Sequence, residues 1–192
     1  GCYTLDVYTK QAGASLVSED WSTKDATYNK ITTTSADLSS NLDKLAFYSS
    51  GSTYYTSQQK ATTEPYGIIV SNDSKSSILF TPQFTATTPL TFKMQVYQTD
   101  NSTAGRIDIK EITPKEGTNE GTYVQWVSFN TIKPQTDGSI LTYETTVTPT
   151  AVGNRLHISF SANKIRLVTI SLSAEGTKTS VPGYPKKVCG TE

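Results

Sequence analysis

Apolar and polar side chains alternate one by one along most of this chain from about residue 66 onward. The segment Leu90–Tyr97 places an apolar residue at every second position. The same alternation recurs in Arg106–Lys110, Leu141–Val147 and Leu156–Phe160. Because side chains of an extended strand point to opposite faces in turn, this period of two predicts strands with one buried face.

The last strongly apolar segment, Ile165–Leu172, changes phase midway, which predicts a β-bulge. Asp137-Gly138 is the strongest hairpin candidate, because a type I′ turn needs positive φ at both central residues. The first third is less regular: it predicts short strands at 16–18, 45–48, 53–56 and 66–70, and one helical turn at 35–38. Ten or more strands with polar turns predict an all-β fold, an antiparallel two-sheet β-sandwich of jelly-roll type.

Charge and hydropathy exclude several classes of protein. Seventeen basic and seventeen acidic residues balance, so the chain lacks the basic excess that nucleic-acid binding uses. No run of about twenty apolar residues is present, so no membrane-spanning helix is expected. One β-sandwich domain is expected over residues 1–173. Residues 174–192, which contain Pro182, Gly183 and Pro185, are expected to form a tail, a linker or a wrapped terminus.

The two cysteines lie almost at the two ends of the sequence, as Cys2 and Cys189. One interpretation is a disulfide, which an exported protein permits. It requires the first and last segments of the chain to run side by side. A second makes Cys2, preceded by Gly1, the acylated residue of a lipoprotein, which would be the only membrane attachment. A third leaves two unrelated thiols.

The order of features resembles sandwich domains from surface proteins and lipoproteins of Bacteroidetes, which are similar to galactose-binding-like and other carbohydrate-binding jelly rolls. The resemblance covers roughly residues 3–173. The segments that carry it are Glu19-Asp20-Trp21, Ile78–Pro82, Pro89–Lys93, Asn154–Phe160 and Lys164–Ile170. It implies an exported, non-catalytic module at the cell surface, anchored to the outer membrane or extracellular, with a polysaccharide, a glycoconjugate or other surface proteins as partners.

Many such domains hold a structural calcium ion with an acidic residue in the final strand. This chain has Val168-Thr169-Ile170 at that place, so a calcium site built on Glu19 and Asp20 would need further oxygen ligands from elsewhere. The alternative is that Glu19 and Asp20 form a solvated turn, with Asp20 as a cap. No other cofactor is expected.

Catalytic signatures are sparse, and no enzymatic activity is expected. His157 is the only histidine, and its strand context favours a polar sheet face over a general base. A glycoside hydrolase would need only two carboxylates. Asp20, Asp108, Glu111 and Glu144 are candidates, but no motif selects a pair.

Aromatic side chains are the strongest binding signal, because sugars stack on exposed rings. The candidate ligand-binding residues are Trp21, beside Asp20, and Tyr54, Tyr55 and Gln58. Trp126 alternates with Val124 and is expected in the core. Two functions stay open: a glycan-binding or adhesive module, and a structural spacer without a small ligand.

Overall fold

The alternating segments form two packed antiparallel sheets in a computed structural model, which describes residues 1–11, 13–26, 32–33, 42–48, 59–72, 76–99, 103–115, 123–161 and 163–191. The described residues form sixteen strands, and the predicted two-sheet β-sandwich is confirmed. The strands are β1 (Cys2–Leu5), β2 (Tyr8–Lys10), β3 (Ser15–Asp20), β4 (Thr32–Thr33), β5 (Ala46–Tyr48), β6 (Gln59–Lys60), β7 (Ile68–Ile69), β8 (Ser77–Phe80), β9 (Leu90–Gln98), β10 (Arg106–Pro114), β11 (Tyr123–Ile132), β12 (Leu141–Val147), β13 (Arg155–Ser161), β14 (Ile165–Ala174), β15 (Lys178–Ser180) and β16 (Lys186–Cys189).

Strand order assigns each long strand to one of two sheets. Sheet 1 has the order β11-β10-β13-β8-β5-β4, and its pairs are antiparallel except for β4 with β5. Sheet 2 has the order β12-β9-β14-β7-β6, and β3 also pairs with β14. Among the described strands, β11 therefore has a neighbour on one side only, at the edge of sheet 1.

The core lies between the two sheets. Sheet 1 contributes Leu79, Ile107, Ile109, Leu156, Ile158 and Phe160, and sheet 2 contributes Phe92, Met94, Val96, Leu167, Ile170 and Leu172. These residues are the apolar half of the predicted alternation. The predicted bulge in β14 is also confirmed, because the register with β9 shifts between Leu167 and Thr169. Each fully buried side chain of this kind contributes about 1.5–3 kcal/mol to folding.

The two ends of the chain pair with each other outside the sandwich sheets. β1 pairs with β16, and β2 pairs with β15, so the expected tail contains two strands rather than free linker alone. The register places Cys2 opposite Cys189, and the two form a disulfide. That bond uses both sulfur atoms, so neither thiol is left to carry a lipid in this structure.

The turn at Asp137-Gly138 differs from the predicted hairpin. It joins β11 of sheet 1 to β12 of sheet 2, so it is a crossover between sheets. Only Gly138 of the two has positive φ, at +84°, and Asp137 Oδ1 instead accepts hydrogen bonds from the amide and hydroxyl of Ser139. The sequence predictions for 53–56 and 35–38 lie outside the described residues. Within the described ranges, no helix is long and apolar enough to cross a membrane.

Candidate functional site

The two tryptophans have the reverse of their predicted environments. Trp21 is only 1 % exposed and belongs to the central core, and its backbone amide donates to the carbonyl of Val168 at 2.9 Å. A ring enclosed by protein cannot stack on a sugar, so the prediction for Trp21 is wrong. Trp126, predicted in the core, is 48 % exposed. That prediction is also wrong, because β11 is an edge strand whose apolar residues are only partly covered.

Of the remaining predicted site residues, the structure describes only Glu19 and Asp20. Tyr54, Tyr55 and Gln58 lie outside the described residues. Glu19 pairs with the core residue Ile170, and partial burial raises the pKa of its carboxyl.

Asp20 has the cap role that was the alternative to a metal site. The hydrogen bond from the Ser22 amide to Asp20 Oδ1 measures 2.9 Å, and bonding to Ser22 lowers the pKa of Asp20. Asp20 pairs with Thr169, one register position from the pairing of Glu19, so the two carboxylates alternate across the sheet. In the described part of the chain, no three His, Cys, Asp or Glu residues are grouped as metal ligands.

One outer surface of sheet 1 combines the exposed ring of Trp126 with buried aromatic rings, and we call it the aromatic face. Register defines it, because residues directly opposite each other in neighbouring strands share a face. Lys110 is opposite His157, His157 is opposite Phe80, and Ile112 is opposite both Trp126 and Arg155. The aromatic face consists of Phe80, Lys110, Ile112, Tyr123, Trp126, Arg155 and His157.

The inner half of the aromatic face is buried. The His157 ring is 7 % exposed and makes edge contacts with Phe80 and Tyr123, at centroid distances of 5.1 and 6.2 Å. Burial lowers the pKa of His157 to about 4, and the positive charge of Lys110 adds to that effect. An imidazole enclosed in this way is neutral near pH 7 and packs against Phe80 and Tyr123 as an uncharged aromatic ring.

Arg155 completes the buried half. Its Nε donates to the Thr81 carbonyl at 2.6 Å, another guanidinium nitrogen donates to the Lys44 carbonyl at 3.0 Å, and the guanidinium lies 5.1 Å from the Phe80 ring centroid. Burial lowers the pKa of Arg155 to about 10, so it is still charged near neutral pH. The buried half of the aromatic face therefore contains a charged guanidinium that is held by hydrogen bonds.

The outer half of the aromatic face meets solvent at Trp126. The Lys110 ammonium lies 4.4 Å from the centre of the Trp126 ring, a cation–π contact. Lys110 is half-buried, and Ser128 lies opposite it on β11. Tyr123, half-buried at the start of the same strand, closes one end. An exposed indole flanked by an ammonium and a hydroxyl on a rigid sheet suits a ligand with both an apolar face and polar substituents.

The edge of β11 is exposed in its own right. Val124 is 68 % exposed and Val127 is 63 % exposed, and Phe129 is also exposed. No residue of Tyr123–Ile132 carries a charge. Natural edge strands are commonly protected by charged residues or proline, and this strand has neither.

A second concave surface lies on the outer side of sheet 2, where a groove of about 540 Å³ runs beside β14. Its floor is rich in hydroxyl groups and its rim carries an exposed ion pair between Lys93 and Glu144, 3.7 Å apart. The lining includes Ser15, Ser18, Thr91, Ser171 and Ser173. None of its described lining residues is aromatic, so it offers hydrogen bonds but no ring for stacking.

No protein-family model and no curated protein matches the chain. Among solved structures it is similar to the CBM22-1 xylan-binding domain of Paenibacillus barcinonensis Xyn10C, with 10% identity over 89% of this chain and 97% of that one, at a TM-score of 0.46. It is also similar to the K2 cleaved adhesin domain of Lys-gingipain, with 17% identity over 85% and 97% of the two chains, at a TM-score of 0.38. At such identities and scores, the likeness carries no conclusion about what this chain binds.

Proposed function

We propose that this domain is a non-catalytic, glycan-binding module of an exported protein, and that it binds at the aromatic face. The observation that carries the proposal is the exposure of Trp126 on a rigid strand beside Lys110 and Tyr123. Pyranose rings present an apolar face of C–H groups and a rim of hydroxyls, which such a surface complements. The disulfide supports export, because such bonds persist in oxidising compartments.

Replacing Trp126 by alanine is expected to weaken glycan binding at least tenfold, or about 1.4 kcal/mol, because the aromatic anchor of a small site supplies much of its binding energy. Affinity gel electrophoresis against soluble polysaccharides measures the change, after a glycan array has selected the polymers. Thermal unfolding of the variant is expected to stay close to wild type, since the side chain is half-exposed.

Tyr8→Ala is the matched control. Tyr8 is an exposed ring on β2 with a lysine ammonium, Lys178 Nζ, 4.6 Å from its centroid, so it repeats the local chemistry on a different part of the molecule. Tyr8→Ala is expected to leave binding unchanged. Equal loss in both variants, or none in Trp126→Ala, would contradict the placement of the site on sheet 1.

Adhesion through the β11 edge is the second candidate function, favoured by the uncharged and exposed strand Tyr123–Ile132. Among the described strands nothing pairs with the outer edge of β11, so its backbone groups can accept an antiparallel strand. A second copy of this chain is the partner proposed, because the formal net charge of zero gives no repulsion between copies. The glycan and the added strand would use different parts of β11, the ring of Trp126 and the strand's outer backbone edge.

Val127→Lys is expected to weaken self-association about tenfold, since it places a like charge at the centre of a two-fold strand pair. Sedimentation velocity over a concentration series measures the association constant. The control is Val152→Lys, at an exposed turn residue distant from β11 in sequence, which is expected to have no effect. A wild-type chain that stays monomeric throughout the series would exclude this second function.

A further inference from the structure

The positive charge of Lys110, beside Trp126, favours one class of glycan over others. Lys110 takes part in no ion pair within the described residues; the two pairs found there join Lys93 to Glu144 and Arg106 to Asp108. Its ammonium group contacts the Trp126 ring. A half-buried ammonium that pairs with none of the described carboxylates, and that lies beside an exposed ring, can bind an anion.

Asp108, the acidic residue nearest in sequence on the same face, already binds two other side chains. Asp108 lies two residues before Lys110 on β10. Its carboxylate binds Arg106 Nε at 2.9 Å and accepts a hydrogen bond from the Thr131 hydroxyl at 2.7 Å. These two partners take up much of its charge and its acceptor capacity, so it competes weakly for Lys110.

A second cationic side chain, Arg155, lies on the same face as Lys110. The Arg155 guanidinium is buried on the same face and donates hydrogen bonds to the carbonyl oxygens of Thr81 and Lys44. Asp43, on the segment leading to β5, interacts with Arg155 electrostatically. The positive charges of Lys110 and of Arg155 both lower the pKa of His157. The charge of Asp108 acts on His157 in the opposite direction. The described part of the face therefore has two cationic side chains, Lys110 and Arg155, of which Lys110 is the one beside Trp126.

We infer that the glycan bound at the aromatic face is acidic and that Lys110 contacts its carboxylate or sulfate group. This inference rests on the proposed function. A sugar that stacks on Trp126 displaces the Lys110 ammonium from the ring. A carboxylate or sulfate then receives a charge-assisted hydrogen bond, which is stronger than an exposed cation–π contact. A neutral sugar offers weaker compensation for the lost contact, so Lys110 favours acidic sugars and opposes neutral ones.

The test uses pairs of polymers that differ only in charge: polygalacturonate and its methyl ester for the carboxylate, dextran sulfate and dextran for the sulfate. Binding by the intact chain is measured by affinity electrophoresis and calorimetry. We expect at least one acidic polymer to bind about tenfold more tightly than its neutral partner. Lys110→Met is expected to weaken binding of that acidic polymer about fivefold and to leave neutral binding unchanged or slightly stronger. Which acidic polymer responds identifies carboxylate or sulfate as the group recognised.

Lys178→Met is the matched control, since it removes the ammonium that lies over Tyr8 and changes net charge by the same amount. It is expected to leave acid selectivity unchanged, and an equal loss in both lysine variants would show a general charge effect and overturn the inference. Equal binding of acidic and neutral polymers, lost in Trp126→Ala, would overturn the inference while the proposed function stands. Binding unaffected by Trp126→Ala would overturn both.

Discussion

Replacing both cysteines by serine is expected to lower the free energy of unfolding by up to about 5 kcal/mol. Cys2 and Cys189 are 187 residues apart in sequence, so their bond closes almost the whole chain into one loop. In the chain-entropy model the stabilisation grows with loop length, because the bond removes conformations from the unfolded state. Urea unfolding of the wild type and of the double serine variant, followed by tryptophan fluorescence, measures the difference.

The size of this decrease in the free energy of unfolding shows how stably the terminal strands are attached to the sandwich. The cross-link stabilises the native state relative to the unfolded chain only if the native fold already holds the two termini together, as the pairs β1–β16 and β2–β15 do. A reductant is expected to bring the wild type to the stability of the variant and to leave the variant unchanged. A loss below about 0.5 kcal/mol would mean that the terminal strands separate without unfolding the sandwich.

The alternating pattern predicted the strands that lie inside the sandwich. In β9, the side chains of Phe92, Met94 and Val96 point into the core, because both neighbours, β12 and β14, pair along its length. The change of phase in β14 predicted the bulge at Val168 for a similarly local reason: one extra residue exchanges the faces of all that follow. Such features depend on few residues and can be derived from sequence alone.

The position of a strand within its sheet depends on distant residues, and the sequence does not contain it locally. Trp126 and Val124 alternate as core residues do, but among the described strands β11 has a neighbour on one side only. Trp21 follows β3 and is buried because β3 pairs with β14, about 150 residues later in the chain. Asp137-Gly138 has the composition of a hairpin turn and instead connects two sheets. In each case strand order decided the outcome.

The sequence analysis did not predict the proposed binding surface, for the same reason. An aromatic-rich strand without a single charge, Tyr123–Ile132, was the available signal. Such a strand is equally typical of a buried strand, and only the edge position makes it a surface. Nothing in the sequence distinguished Lys110 from an ordinary solvent-facing residue, because Arg106 and Asp108 occupy alternate positions of the same strand.

Acidification from pH 7 to pH 4 is expected to cost the folded state about 3 kcal/mol through His157 alone. Burial lowers the pKa of His157 from 6.5 to about 4. Above pH 6.5 the imidazole is neutral in both states. Between pH 6.5 and pH 4 the unfolded chain takes up a proton that the folded chain refuses, so stability falls as the pH falls. Below pH 4 both states are protonated, and this loss reaches its limit.

His157→Phe isolates the effect, because His157 is the only histidine of the chain and the carboxylates titrate alike in both proteins. Phenylalanine keeps an aromatic ring between Phe80 and Tyr123. The difference between the two stability curves is expected to be flat above pH 6.5 and to rise to about 3 kcal/mol in favour of the variant near pH 4. Titration of the single imidazole by NMR gives the folded pKa directly. A value near 6.5 would mean that water reaches His157, and the aromatic face would then lack the closed, rigid layer that holds Trp126 and Lys110 in place.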